Sequence, residues 1–325
     1  MPSSKRSLWR VGLGGGILAL ASALTPPAHA QTAAPGFALE RLYQSAPGAG
    51  WIVLDTLDMR GGFGATAAIS VGYANNPLRV SQGAHALSVV SDEAWADLGF
   101  AVSYERLRLS INFTSPLSLT GQSGTAGGFM YTAPSDSLAQ TPDTIADVRV
   151  GLDSRVVGGP TSRFRLGLGA QLYIPSGTTS EYVSDATYRV MLRMMAAGEL
   201  GSFTYAAHLG VHIRPTDDGS VPGAPQGSEL LFAVAGGTRV LFHRGTSLVV
   251  GPEVFGETAL KSFFGAATTG VEGLVSVRLE RSDDVDGLGL RLKLGAGGGL
   301  DAQFGVPEWR TVLGLEVFGH AGRSR

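Results

Sequence analysis

The chain has 325 residues, 47 glycines and no cysteine, and only 16% of its residues are charged, against about 25% in an ordinary soluble domain. The missing cysteine excludes disulfides, thiolate metal sites and a lipoprotein attachment site. A formal net charge of −2 offers none of the basic face that nucleic-acid partners require.

Residues 1–30 read as a secretory signal peptide. Lys5, Arg6 and Arg10 form its positive region, residues 11–24 its apolar core, and Ala28-His29-Ala30 its small-residue cleavage site, with Gln31 the first mature residue. The apolar core is too short to cross about 30 Å of hydrocarbon as a helix, and Pro26-Pro27 ends it. Beyond Ala30 no apolar run reaches the length of about 18 residues that a transmembrane helix needs. Residues 31–61 are expected to be a periplasmic or luminal segment. Residues 31–50 are rich in Ala, Pro, Gly and Ser, residues 37–43 are mildly amphipathic, and residues 51–57 suit a short strand or a lumen-side stretch.

From residue 62 the sequence alternates, as strands do, because successive side chains leave a strand on opposite faces. Ala65, Ala67, Ile69, Val71 and Tyr73 share one face; Leu98, Phe100 and Val102 then oppose Asp97 and Gly99. Past a tight turn at Glu105-Arg106, Leu107, Leu109, Ile111 and Phe113 oppose Arg108 and Asn112. After a Gly/Ser/Thr/Pro-rich loop at 121–143, Val148, Val150 and Leu152 oppose Asp147, Arg149, Asp153 and Arg155. Residues 163–174, RFRLGLGAQLYI, give the longest run: Phe164, Leu166, Leu168, Ala170, Leu172 and Ile174 alternate with Arg163, Arg165, Gly167 and Gly169. Beyond the polar loop 175–185, Tyr188, Val190, Leu192 and Met194 oppose Arg189, Arg193 and Glu199. Leu209, Val211 and Ile213 oppose His208, His212 and Arg214, and a further loop covers 215–227. Leu230, Phe232 and Val234 oppose Glu229 and Arg239; Leu248, Val250 and Val254 oppose Glu253 and Glu257. Val275, Val277 and Leu279 oppose Glu272, Arg278 and Glu280; Leu288, Leu290, Leu292 and Leu294 oppose Arg291 and Lys293; Leu313, Leu315 and Val317 oppose Arg310 and Glu316.

This pattern predicts an all-β fold, an antiparallel transmembrane β-barrel of about twelve strands over residues 62–319, with a tail at 320–325. Residues 51–57 or 75–92 would add strands if they pair. Connections near 105, 159, 201, 244 and 284 are short and those between them mostly longer, the habit of periplasmic turns and extracellular loops, so both ends of the barrel face the periplasm. Closure also satisfies every backbone polar group in lipid, which an open sheet does not.

The inward charges are the candidate site. They either pair and fill the lumen or line a selective channel. A strand count of about twelve lies between barrels that side chains fill and wide aqueous pores. Other chemistry is poorly supported. Residues 295–300, GAGGGL, end a strand with no helix following, so the phosphate-cradling geometry is missing. His208 and His212 stand about 13 Å apart along a strand and cannot share a metal. Asp283, Asp284 and Asp286 read as an exposed acidic turn, and no nucleophile elbow is present. The expectation is a structural protein or narrow passive channel of the outer membrane with no cofactor and no catalysis. Its partners would be outer-membrane lipid, the assembly machinery that inserts barrels, and small solutes. A dedicated small-solute transporter and a barrel-embedded hydrolase are the alternatives.

The stretches FALERLYQSAPGAGWIVLDTLDMRGGFGA, LGLGAQLYIPSG, SELLFAVAGG and VVGPEVFGET resemble the N-terminal barrel of long OmpA-family outer-membrane proteins, a likeness running over roughly residues 37–318. The resemblance implies a barrel and no catalytic residues. In that family acidic calcium-binding repeats and a peptidoglycan-binding domain usually follow the barrel, and neither occurs in this sequence.

Overall fold

The computed structural model describes residues 32–59, 61–82, 85–134, 144–216, 227–241, 245–265, 268–282, 287–301 and 304–321. The expected signal peptide, residues 1–30, and the expected acidic turn at Asp283, Asp284 and Asp286 lie outside them. Twelve antiparallel strands form a closed barrel: β1 Phe63–Gln82, β2 His85–Tyr104, β3 Leu107–Thr120, β4 Val148–Val157, β5 Arg165–Ile174, β6 Arg189–Leu200, β7 Phe203–Ile213, β8 Glu229–Leu241, β9 Thr246–Ala259, β10 Thr269–Ser282, β11 Leu288–Asp301 and β12 Trp309–Ala321. Each strand pairs with its neighbours in sequence, and β12 closes on β1 from Trp309↔Asn75 to Ala321↔Phe63.

Alternation decides which way each side chain faces. In β5, Arg165, Gly167, Gly169 and Gln171 are buried while Leu168 and Leu172 are exposed. The outer surface is a continuous apolar belt, with Leu168 54% and Val275 61% exposed. Such a surface is stable only where lipid replaces water. Aromatic side chains border it: exposed Phe63, Tyr104, Phe164 and Phe203 at the end carrying the short turns, Tyr188 and the Tyr73–Trp309 pair (ring centroids 4.9 Å apart) at the other. From Phe63 to Tyr73 a strand tilted by about 40° rises about 25 Å, the height of an outer-membrane apolar band.

Residues 75–82 and 85–92 add no further strand to the barrel. They lengthen β1 and β2 to 20 residues each, beyond the belt. Pro77, which lacks a ladder donor, sits where the register shifts between Asn75 and Leu78, and Asn76 takes a positive φ of 51°. Residues 51–57 form no strand either. They lie inside the barrel, in a segment whose only ladder element among the described residues is a bridge between Gly50 and Asp55.

That luminal segment, residues 37–59, is almost wholly buried. It begins at the end carrying the long loops, where the Leu39 N–H donates to the Tyr182 carbonyl (2.8 Å) and the Ala38 N–H to Asp185 (2.7 Å). It ends beside the short turns, where the carbonyls of Leu57 and Met59 accept from Arg155 (2.8 Å each). The chain therefore crosses the whole barrel interior before β1 starts. Gly48 and Gly50, at φ 86° and 100°, double it back midway. There Ser45 N–H reaches the Ile52 carbonyl (2.9 Å) and Thr56 N–H the Ala49 carbonyl (2.7 Å).

Three apolar clusters hold the segment, the smallest being Tyr43 with Tyr173, Met191 and Leu231. Trp51, Ile52, Val53, Leu54 and Leu57 pack with Trp95, Met195, Val249, Phe255 and Leu274 of the wall. Above the mouth, Phe37 and Leu39 pack with Leu78, Val89, Val90, Leu119, Tyr131 and Tyr182, capping the barrel. The inward glycines make room for the segment. A Cβ on Gly167 would lie 2.8 Å from Leu57, one on Gly99 2.7 Å from Pro47, and one on Gly237 2.9 Å from Trp51.

Candidate functional site: the filled lumen

Inward charged residues bond to one another and to the luminal segment. Midway along the barrel the buried carboxylate of Glu253 accepts the consecutive N–H groups of Ile52 (3.0 Å) and Val53 (2.9 Å), and Ser276 Oγ as well (2.5 Å). Arg149 donates to the Gln44 carbonyl (2.7 Å), Lys293 to the Trp51 carbonyl (3.4 Å), and Arg278 lies over the Trp51 ring, 5.6 Å from its centre. Asp153 accepts from Arg193 (3.1 Å) and Arg108 (2.8 Å), and Arg108 also binds Asp55 of the segment. Glu316 holds Arg291 (2.7 Å) and Lys293 (2.6 Å), and Arg291 also reaches Glu280 (2.9 Å).

A second network surrounds the start of the segment. Glu229 binds Arg41 (3.0 Å) and Arg214 (2.7 Å), and accepts from Tyr43 Oη (3.2 Å). Tyr43 Oη also lies 3.0 Å from His212 Nδ1. Arg310 pairs with Glu272 (2.8 Å) and with Glu40 of the segment (2.9 Å). Asp147, one residue before β4, pairs with Arg189 (2.9 Å). In the loop before β6, Asp185 binds Arg214 (2.8 Å) and lies 3.7 Å from Arg189. Burial raises its pKa, but the two guanidiniums and the Ala38 N–H outweigh burial and leave it below the ordinary carboxylate range. Burial pushes the neighbouring Tyr182 hydroxyl up to about 12, so it stays a neutral donor, to the Thr132 carbonyl (2.7 Å).

Three residues depart from a buried lining. Glu199 and Arg239 pair with each other (2.6 Å) at the rim, each over a quarter exposed. Arg163 is exposed and lies outside β5, which starts at Arg165. The apolar alternation runs two residues beyond the ladder, into the turn region where β4 is already irregular between Arg155 and Val157. The Arg163 carbonyl accepts from Tyr205 Oη (2.9 Å) and from the Glu199 N–H (3.3 Å), while its side chain is exposed. Arg165 faces inward and binds the Pro160 carbonyl. Sequence reasoning missed Glu40, Arg41, Tyr43 and Asp55, because the segment has no periodicity to mark its facing. Charges embedded between apolar pairs, as in LERLY and LDTLD, were the available signal.

Cavities of about 80 Å³ and 30 Å³ flank the segment. The larger lies beneath the cap, among Tyr43, Glu93, Trp95, Arg149 and Tyr173; the smaller lies near the opposite end, beside Asp58 and Arg291. Glu93 Oε2 and Trp95 Nε1 are buried at the larger cavity with no hydrogen-bond partner among the described residues.

These features define a bacterial outer-membrane β-barrel. No family model matches the chain, and no curated protein matches it. Among solved structures it is similar to the COG4313 outer membrane channel from Pseudomonas putida F1 (TM-score 0.51, 15% identity, 79% of this chain and 95% of that one). Weaker likenesses are to the NanC porin (TM-score 0.45, 8% identity, 78% and 100%) and the CymD monoaromatic hydrocarbon channel (0.44, 8%, 88% and 100%). The first likeness agrees with the twelve-strand antiparallel barrel and bears on fold alone. The resemblance to OmpA-family barrels finds no matching family model, so the chain is assigned to the barrel class and to no family within it.

Proposed function

We propose that this is an outer-membrane barrel closed at rest by its own luminal segment, acting as a structural protein or a narrow passive channel and not as a catalyst. The carrying observation is the grip of Glu253 on the N–H groups of Ile52 and Val53 at mid-barrel. A carboxylate buried in the lumen would be costly unless fully bonded, and here its bonding partners belong to the segment and to Ser276. In this reading residues 1–30 are removed on export, and barrel-assembly machinery inserts the mature chain. The inward charges serve chiefly to hold the segment.

Planar-bilayer recording tests the reading. The wild type should show no steps or only small ones. Glu253→Ala takes the acceptor from three buried donors, the Ile52 and Val53 N–H groups and Ser276 Oγ, at about 1–3 kcal/mol each, so its open events should be more frequent and larger. Porin-sized steps in the wild type, or identical traces for both proteins, would sink the proposal.

A second reading, a dedicated small-solute transporter, draws on the cavity beneath the cap, whose lining is aromatic and charged.

A further inference from the structure

The cavity beneath the cap has unused recognition groups. Of the acids at its wall, Glu40 is neutralised by Arg310 (2.9 Å) and Asp147 by Arg189 (2.9 Å). Glu93 has no hydrogen bond and no ion pair within 4 Å among the described residues, although it is only 6% exposed; Glu40 and Arg310 act on it from farther off, in opposite senses. Across the segment's path Arg149 also lacks an acidic partner there; its one bond is to the Gln44 carbonyl (2.7 Å). Beside Glu93 on the inward face of β2, Trp95 presents an indole N–H with no acceptor and is 2% exposed. Tyr43 and Tyr173 supply aromatic faces, their rings 6.4 Å apart.

An orphaned buried carboxylate and an orphaned buried donor are expensive to leave unmet. Without a ligand Glu93 meets this cost by keeping its proton; a ligand that brings a cation to Glu93 and an acceptor to Trp95 lets the carboxylate form and completes the wall. The free volume of about 80 Å³ holds about six water-sized groups. A carboxylate and a guanidinium bordering one small, partly aromatic chamber match the two ends of a molecule carrying both charges. A lone cation would leave Arg149 unmatched, and a lone anion would meet Glu93.

We propose that this chamber binds a small zwitterion of the α-amino acid class, its ammonium on Glu93 and its carboxylate toward Arg149 and the Trp95 N–H. The site is independent of whether the barrel conducts, because it is built from the wall and the resting segment together.

The test is calorimetric titration of the full-length barrel in detergent with L-alanine, and separately with ethylammonium and propionate, which carry one charge each. Alanine should bind, with each single-charge compound at least about tenfold weaker, since a lost hydrogen bond to a charged group costs that much or more. Glu93→Gln and Arg149→Gln should each weaken alanine about tenfold while the folded, heat-shifted gel band is unchanged. If either variant fails to fold, Trp95→Phe, which keeps the ring and removes the N–H, should still weaken alanine. The proposal is overturned if alanine shows no binding up to about 50 mM, or if a single-charge compound binds as well. It is equally overturned if the folded variants keep wild-type affinity, as they would were the chamber merely filled with water.

Discussion

Leu168 shows how one side chain reports the solvent around it. It stands at mid-strand, 54% exposed, between Gly167 and Gly169, which face inward. In lipid at that depth an arginine costs about 2–4 kcal/mol, so Leu168→Arg should lower stability by that amount. Leu168→Phe should be close to neutral, because lipid adapts to the larger ring. A packed protein core would instead resist the ring by about 1–3 kcal/mol. Urea unfolding of both variants in lipid vesicles separates the cases. Equal losses for Phe and Arg would mean that Leu168 does not face lipid. The residue scale also shows where alternation misleads. The pattern that places Leu168 correctly continues to Arg163, yet Arg163 is exposed beyond the last ladder pair. Alternation reports the sequence, whereas facing is fixed by the paired ladder, whose register stops at Arg165; beyond it a single bond from the Glu199 N–H to the Arg163 carbonyl remains.

Among the elements, the strands were legible, while the segment was legible only as periplasmic or luminal and its path was not. A strand in lipid must alternate, because its two faces meet different media, so residues 163–174 reveal their structure locally. Residues 37–59 are surrounded by protein on every side and need no period. Their path is set by side chains on distant strands, such as Glu253 for Ile52 and Arg155 for Leu57. The inward glycines were legible as small positions, but nothing in the sequence shows that Leu57, Pro47 and Trp51 occupy the space they leave. The segment's first anchor is also a pH-dependent one. Asp185, which accepts from the Ala38 N–H and Arg214, has a pKa held below its ordinary value. A depressed acid contributes its full stabilisation above the unfolded pKa of about 3.9 and loses it as pH falls through the folded value. Open-channel events should thus be constant between about pH 5 and 8 and rise on acidification below about pH 4. Asp185→Asn should show raised activity already at neutral pH and lose the acid step tied to this group. An acid response of wild-type size in Asp185→Asn would assign the effect elsewhere.

On the scale of the whole molecule, the barrel is a ring that one pairing, β12 with β1, turns from an open sheet into a closed one. The segment inside is covalently continuous with β1 and bonded to β1, β3, β4, β7, β8, β9, β11 and β12 as well as to the loop before β6. Threading it through a finished ring would drag Glu40, Arg41 and Asp55 past an apolar and charged interior that fits them at one position each. The order of assembly is thereby constrained: the curling sheet gathers around the segment, and the seam is sewn afterwards. In the chain starting at Gln31, which lacks Trp9, with Trp95 and Trp309 replaced by phenylalanine, the fluorescence of Trp51 during refolding into vesicles should reach its buried value no later than the compact, heat-shifted band appears. A band that matures first would mean that the segment enters a ring already shut. The segment is in this sense the mandrel on which the barrel is wound, so a substitution that loosens it, even far from the seam, slows maturation of the whole protein before it alters anything that the finished protein does.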